Sequence, residues 1–203
     1  MELASFGPWL WWCRCAWLGK LAGCRRALII GDGDGRFTRR LLAVNPAVTV
    51  DAVDASPAML AALLRRAGSA AGRVRVHMAD ARGWQASNPP YDLVVTHFFL
   101  DCLTTDEVAA LAWDLRSAVS DQALWVVSEF AIPERGLGRL VARTVVAGLY
   151  WAFGWLTGLT VCALPDYAAG LEAAGFRLDA RRRWLGGLLV SEIWSVGEED
   201  SSA

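Results

Sequence analysis

Short apolar runs, bounded by charged or glycine-rich turns, alternate along this chain with longer stretches whose apolar residues recur at helical spacing. The runs 27–30, 48–53, 73–78, 93–96 and 123–130 read as strands, because apolar residues crowd them and turn residues close them. Between them, 37–44, 56–67 and 104–119 read as helices. Ser56 before Pro57 is a hydroxyl cap followed by a residue with preset φ, and Thr104-Thr105-Asp106-Glu107 sets a hydroxyl ahead of acids in the first turn. The pattern closes with a helix over 165–174 ended by Gly175 and strands over 176–182 and 188–196. Such alternation predicts an α/β fold: a doubly wound, mostly parallel seven-stranded sheet, with the last hairpin adding an antiparallel edge strand.

Two stretches depart from this rhythm. The first residues predict a helix over 3–21 carrying Trp9, Trp11, Trp12 and Trp17; Glu2 precedes it and Arg14 interrupts it, so it is no secretory signal. Its abrupt start at Met1 suggests further residues upstream. From Thr144 to Leu164 no formal charge appears, which is long enough for a membrane span of roughly 20 residues. Gly148, Gly154, Thr157, Gly158 and Thr160 interrupt it, however, and no second such span exists. We read a single domain over 1–203, with a cap helix over 1–23 and an apolar lid over 133–164. Peripheral membrane contact of the lid is the alternative.

Length and composition fit one α/β unit: 203 residues, 55% of them hydrophobic, suffice to cover both faces of a sheet. A formal net charge of -1 gives no general attraction to nucleic acid, and Arg181-Arg182-Arg183 reads as a strand edge or solvated turn. Cys13, Cys15, Cys24, Cys102 and Cys162 show no paired C-x-x-C spacing, so neither a disulfide framework nor a metal site is expected. Reduced thiols in a cytoplasm are the expectation. Lys20 is the only lysine, a compositional mark of a GC-rich bacterial genome.

The chemistry concentrates in Gly31-Asp32-Gly33-Asp34-Gly35, which follows the first strand and opens a helix. Alternate glycines let backbone turn sharply and approach a ligand, and the helix start offers unpaired N–H groups. A dinucleotide fingerprint would need a third glycine at Arg36 or Phe37, so the G-x-G-x-G spacing suits a nucleotide-like cofactor without a pyrophosphate. Asp54 ends the second strand, where an acid can accept both ribose hydroxyls, and Asp80 follows the third, where it can accept an adenine amino proton. Three strand ends thus supply one adenosine site.

With those residues in place, the chain resembles the class I S-adenosylmethionine-dependent methyltransferases. The resemblance covers 27–196 and rests on the glycine turn, on Val53-Asp54-Ala55-Ser56-Pro57-Ala58-Met59-Leu60, on Met78-Ala79-Asp80-Ala81 and on Tyr91-Asp92-Leu93-Val94-Val95. It implies S-adenosylmethionine as cofactor, with Gly31, Gly33 and Gly35 along its methionine and ribose, Asp54 and Ala55 at the ribose, Asp80 at the adenine, Met59 and Ala81 flanking the ring, and His97 and Phe98 near the sulfonium. Two departures stand out. Ile29 occupies the position where the family usually has an acid, so Asp32 or Asp34 is expected to anchor the methionine amino group. Val119-Ser120-Asp121-Gln122 replaces the usual Pro-Gly-Gly turn.

Methyl transfer needs alignment and desolvation above all, and positioning alone can supply roughly 7 to 11 kcal/mol. Candidates for a base are His97, Asp101 and Glu129, with His97 best placed at its strand's carboxyl end and packing against the cofactor as its other role. The tryptophans before Lys20 and Tyr150, Trp151, Phe153 and Trp155 suggest aromatic walls and hence a small or lipid-like apolar acceptor. A cofactor-binding or membrane-associated protein without transferase activity is the second reading. A nucleotide-dependent oxidoreductase is the third.

Overall fold

A computed structural model describes residues 8–86, 89–132 and 164–197. Its seven-stranded sheet comprises β1 (Arg26–Ile30), β2 (Thr49–Asp54), β3 (Val74–Met78), β4 (Tyr91–His97), β5 (Val119–Phe130), β6 (Phe176–Trp184) and β7 (Leu189–Val196). They lie in the order β3-β2-β1-β4-β5-β7-β6. The first five run parallel, while β7 is antiparallel to both β5 and β6. The strand order reverses between β1 and β4, and ligands of open α/β sheets bind at the carboxyl ends beside such a switch.

The uninterrupted apolar runs are explained by burial on both faces. In β1, Leu28 and Ile30 join a core with Val94, Trp125, Leu111 and Leu115, while Ala27 and Ile29 join the opposite one with Leu93, Val95, Phe37 and Leu41. The helices are α1 (Pro8–Arg14), α2 (Arg36–Val44), α3 (Pro57–Ala67), α4 (Thr105–Ala118) and α5 (Tyr167–Ala173). Both expected caps form. Ser56 Oγ accepts from the Met59 N–H at 3.4 Å, and Thr104 and Glu107 make a reciprocal capping box.

Two sequence expectations are revised. Of the helix expected over 3–21, the described residues from 8 onward are α-helical over Pro8–Arg14, with a 3₁₀ turn at Leu18–Leu21. An α-helix continuing there would use the Ala16 carbonyl for the Lys20 N–H. Arg182 Nη1 instead donates to that carbonyl at 2.8 Å, and the Lys20 N–H donates to Trp17 O. The fifth strand starts at Val119, not Ala123, because Val119 pairs with Tyr91 before a register shift leads to Leu93 opposite Leu124. The residues standing in for the Pro-Gly-Gly turn are therefore part of an irregular strand. Finally, 133–163 of the expected lid lies outside the described residues, together with Tyr150, Trp151, Phe153, Trp155 and Cys162. No helix among the described residues is long and apolar enough to cross a membrane.

Asn45 ties the N-terminal segment to the sheet. Its buried amide donates to Leu21 O and Cys24 O at 2.9 and 2.7 Å and accepts from the N–H groups of Ala47 and Val48. Leaving such partners unmet costs about 1–3 kcal/mol each, so Asn45→Ala should lower unfolding stability by about 3 kcal/mol or more in a denaturant titration.

Candidate active site

The glycine turn sits at the carboxyl end of β1, and all three glycines have left-handed backbone, with φ of 71°, 59° and 78°. Their surroundings differ. A Cβ on Gly31 would meet the Phe99 ring at 2.6 Å, and one on Gly35 would meet Leu63 side chain and backbone at 2.6–2.8 Å, so these two glycines permit close protein packing. A Cβ on Gly33 would meet no atom of the described residues within 4 Å. That open flank is where a ligand can lie against the turn.

The two acids of the turn part company. Asp34 is held by Arg66 and Arg36, at 2.6 and 3.1 Å, and so bridges α2 and α3. Asp32 is buried, and its Oδ2 accepts from the backbone N–H and hydroxyl of Thr38 at 2.9 and 2.6 Å. Its Oδ1 is buried with no hydrogen-bond partner among the described residues. Burial raises the Asp32 pKa to about 6, against the lowering effects of the Thr38 bonds and the Arg14 charge. The sequence presented Arg14 only as an interruption in an apolar stretch. In the structure it is nearly buried, its guanidinium carbon lies 5.3 Å from the centre of the Phe98 ring, and its charge acts on both Asp32 and His97.

The remaining expected residues lie along the same edge. Asp54, half-buried at the end of β2, accepts from the Ser56 N–H at 2.8 Å, Ala55 and Met59 are exposed beside it, and Ala81 is buried. Asp80 lies beyond β3, exposed, and binds the guanidinium of Arg82, which also reaches Glu107. Those Arg82 bonds hold the Asp80 carboxyl below its ordinary range.

His97 ends β4 and stacks edge-on against Phe37, with ring centres 4.5 Å apart. Neither ring nitrogen has a hydrogen-bond partner among the described residues, and burial drives its pKa well below 6.5, so the ring is neutral. It does not line the cavity described next. Phe98 follows with φ 54°, a left-handed conformation costing a non-glycine residue about 1–2 kcal/mol. This twist brings its ring beside Phe130, 5.1 Å away.

A cavity of ≈ 280 Å³ opens at the carboxyl end of β5, lined by Asp101, Glu129, Tyr167 and apolar residues including Phe130, Ile132 and Pro165. Glu129 joins it to the cofactor side: Oε1 accepts from the N–H groups of Phe99 and Leu100 at 3.0 and 2.8 Å, and the Phe99 ring covers Gly31. Burial, reinforced by Asp101, holds the Glu129 pKa well above the ordinary range, and burial raises that of Asp101. The tryptophans of α1 do not form a buried wall. Trp9, Trp11 and Trp12 are exposed, while Trp17 lies under Arg182.

The glycine turn and the acid-bearing ends of β1, β2 and β3 thus lie along one edge of the sheet, at its carboxyl end, and comparison with known proteins adds the family. Residues 27–121 match the family described as Methyltransferase domain. Trans-aconitate 2-methyltransferase of Mycobacterium sp. (strain KMS) is 31% identical over 77% of this chain and 59% of its own length. Mitomycin 7-O-methyltransferase MmcR shares the fold at a TM-score of 0.71 and 17% identity, over 93% of this chain and 54% of that one. N-methyltransferase NodS from Bradyrhizobium japonicum WM9 does so at 0.65 and 12%, over 93% of this chain and 97% of that one. Residues 27–121 thus match the methyltransferase domain family, and these similarities support a class I S-adenosylmethionine-dependent methyltransferase, with S-adenosylmethionine as the cofactor the family implies. The chain spans about three-fifths of the curated relatives it matches.

Proposed function

We propose that this protein transfers a methyl group from S-adenosylmethionine to a small acceptor with an apolar body. The observation that carries the reading is the open flank at Gly33 beside an unpartnered, buried Asp32 Oδ1. A cofactor ammonium would satisfy that oxygen. Asp34, committed to two arginines, is the poorer anchor, so of the two acids the geometry supports Asp32. Arg14 supplies positive charge for the methionine carboxylate. Asp54 and Ala55 receive the ribose, and Met59, Ala81 and Asp80 surround the adenine.

The chemistry that S-adenosylmethionine supplies when bound is a methyl group on a positively charged sulfur, open to in-line attack. The protein's part is to orient, to exclude water and to place the acceptor. Phe98 and Phe99, set by the turn after β4, cover this region from the side of β5. His97 serves best as a neutral packing ring, and Asp101 and Glu129 are the groups that face the acceptor cavity. The apolar lining supports an acceptor with an apolar body.

Asp54→Ala should weaken binding of S-adenosylhomocysteine by about 1–3 kcal/mol while the fold survives, the usual loss for hydrogen bonds to a charged acceptor. An unchanged dissociation constant in a folded variant would put the ribose elsewhere. The function itself is tested by turnover: S-adenosylhomocysteine should form from S-adenosylmethionine in the presence of an acceptor panel. Tight cofactor binding with no turnover across a broad panel would favour the binding-protein reading.

A further inference from the structure

The cavity at the end of β5 has apolar walls, among them Phe130, Ile132, Leu164 and Pro165, and its ≈ 280 Å³ lies near the lower bound for a small-molecule site. Glu129 also lines it, although that residue is only 1% exposed. Its two carboxyl oxygens have different fates. Oε1 accepts from the backbone N–H groups of Phe99 and Leu100, while Oε2 is buried with no hydrogen-bond partner among the described residues. With two donors already on Oε1, the carboxyl proton belongs on Oε2. Glu129 has no cation as partner among the described residues, and a carboxyl shut away from water without a counter-charge keeps its proton. Burial, with the charge of Asp101 added, accordingly holds its pKa well above the ordinary glutamate range, and the backbone N–H groups at Oε1 pull the other way more weakly. What the cavity meets is therefore a neutral O–H with nothing to donate to. A buried donor in that state calls for an acceptor.

We propose that this cavity is the acceptor subsite and takes a neutral carbonyl compound of one ring, whose carbonyl oxygen accepts a hydrogen bond donated by the Oε2 hydroxyl of Glu129. The proposal rests on the methyltransferase reading above and gives its acceptor a chemical class. A charged ligand of either sign is disfavoured, because an ammonium or a carboxylate would shed its water in an apolar cavity and meet a neutral acid there. A carbonyl group brings no charge to desolvate and takes the one bond on offer. Glutamine at this position would serve the same purpose, since its amide can accept at the oxygen and donate at the nitrogen. The titratable and charged groups around Glu129 are Cys13 on α1, Asp101 and Cys102 in the turn after β4, Tyr167 on α5, and Glu192 with its partner Arg181 on the β6–β7 hairpin.

Acetophenone, isotopically labelled at its carbonyl carbon, is the probe, and benzylamine and benzoate carry the same ring with opposite charges. Ligand-observed NMR titrations into the full chain near neutral pH, with and without S-adenosylhomocysteine, give the three affinities. Isotope-edited infrared spectra give the carbonyl band of bound acetophenone. Acetophenone should bind at least about tenfold more tightly than either charged ligand. Its carbonyl band should lie lower than in an alkane solvent, the mark of a hydrogen bond. Glu129→Gln keeps an oxygen for the Phe99 and Leu100 N–H groups and a donor for the ligand, so it should fold and retain both results. Glu129→Met removes the donor and should return the band to its alkane position. Equal or tighter binding of benzylamine or benzoate, no saturable binding of acetophenone, or an unshifted band in the unmodified protein overturns the proposal without reference to any variant. So does a folded Glu129→Met whose band stays low, or a folded Glu129→Gln whose band does not. If S-adenosylhomocysteine binds and one of these results appears, only this inference falls; if the folded chain binds no S-adenosylhomocysteine, the methyltransferase reading falls and the acceptor assignment with it.

Discussion

Asp32→Asn is expected to change both the pH dependence of stability and the hold on the cofactor, in opposite directions. In the free protein the Asp32 pKa is raised to about 6 from 3.8, chiefly by burial. A raised carboxyl pKa stabilises the fold below the unfolded value, and that contribution is lost as pH rises through the folded value. The window is therefore pH 4 to 6, and the shift corresponds to about 3 kcal/mol at most. Because Glu129 and Asp101 are raised too and push the same way, the measurement is a difference: stability of the variant relative to the unmodified protein should climb across that window and then level. Cofactor affinity should do the reverse. An ammonium at Oδ1 favours the ionised acid, so S-adenosylhomocysteine should bind the unmodified protein more tightly as pH rises from 5 to 7, and the variant more weakly at every pH, by about 10-fold or more at neutrality. A variant that binds normally would move the methionine anchor away from Asp32.

The second large effect separates two glycines two residues apart. Gly35→Ala should be severely destabilising. Its Cβ would fall 2.7 Å from the Leu63 Cα, which is backbone and cannot swing aside, and its φ of 78° is costly for any other residue. Strain of about 1–2 kcal/mol and overpacking of about 1–3 kcal/mol add up to a loss of about 2–5 kcal/mol. Gly33→Ala bears only the first of these, since its Cβ meets no atom of the described residues within 4 Å. It should fold, and yet bind S-adenosylhomocysteine at least about tenfold more weakly, because the methyl group fills the flank proposed for the cofactor. Thermal unfolding alongside calorimetry distinguishes the two. Equal destabilisation with equal binding would mean that the open flank has no ligand role.

The architecture was largely legible from local pattern, because strands buried on both faces read as apolar runs and each is closed by a turn signal. The capping box at Thr104 and the cap at Ser56 were legible for the same reason: they depend on residues three apart in sequence. What escaped was set by distant partners. Nothing near Ala16 announces that Arg182, far along the chain, will donate to its carbonyl. Arg14 reads as a blemish in an apolar stretch until the fold sets it near Asp32 and over Phe98. The choice between Asp32 and Asp34 is invisible in Gly31-Asp32-Gly33-Asp34-Gly35, since it depends on Arg66 approaching one of them from α3. His97 stood out because of its position at a strand end, but strand alternation turns it toward Phe37 and away from the cavity, where Glu129 lies instead.

The central claim is that the turn at the end of β1 is built for S-adenosylmethionine and not for a dinucleotide. Titration calorimetry of the purified chain with S-adenosylhomocysteine and with NAD, each also run on Gly33→Ala, tests it most directly. The account predicts saturable one-to-one binding of S-adenosylhomocysteine, weakened in the variant, and much weaker or undetectable binding of NAD, whose pyrophosphate meets Arg36 where its fingerprint has a third glycine. Tighter binding of NAD, or no binding of S-adenosylhomocysteine by the folded chain, would contradict it.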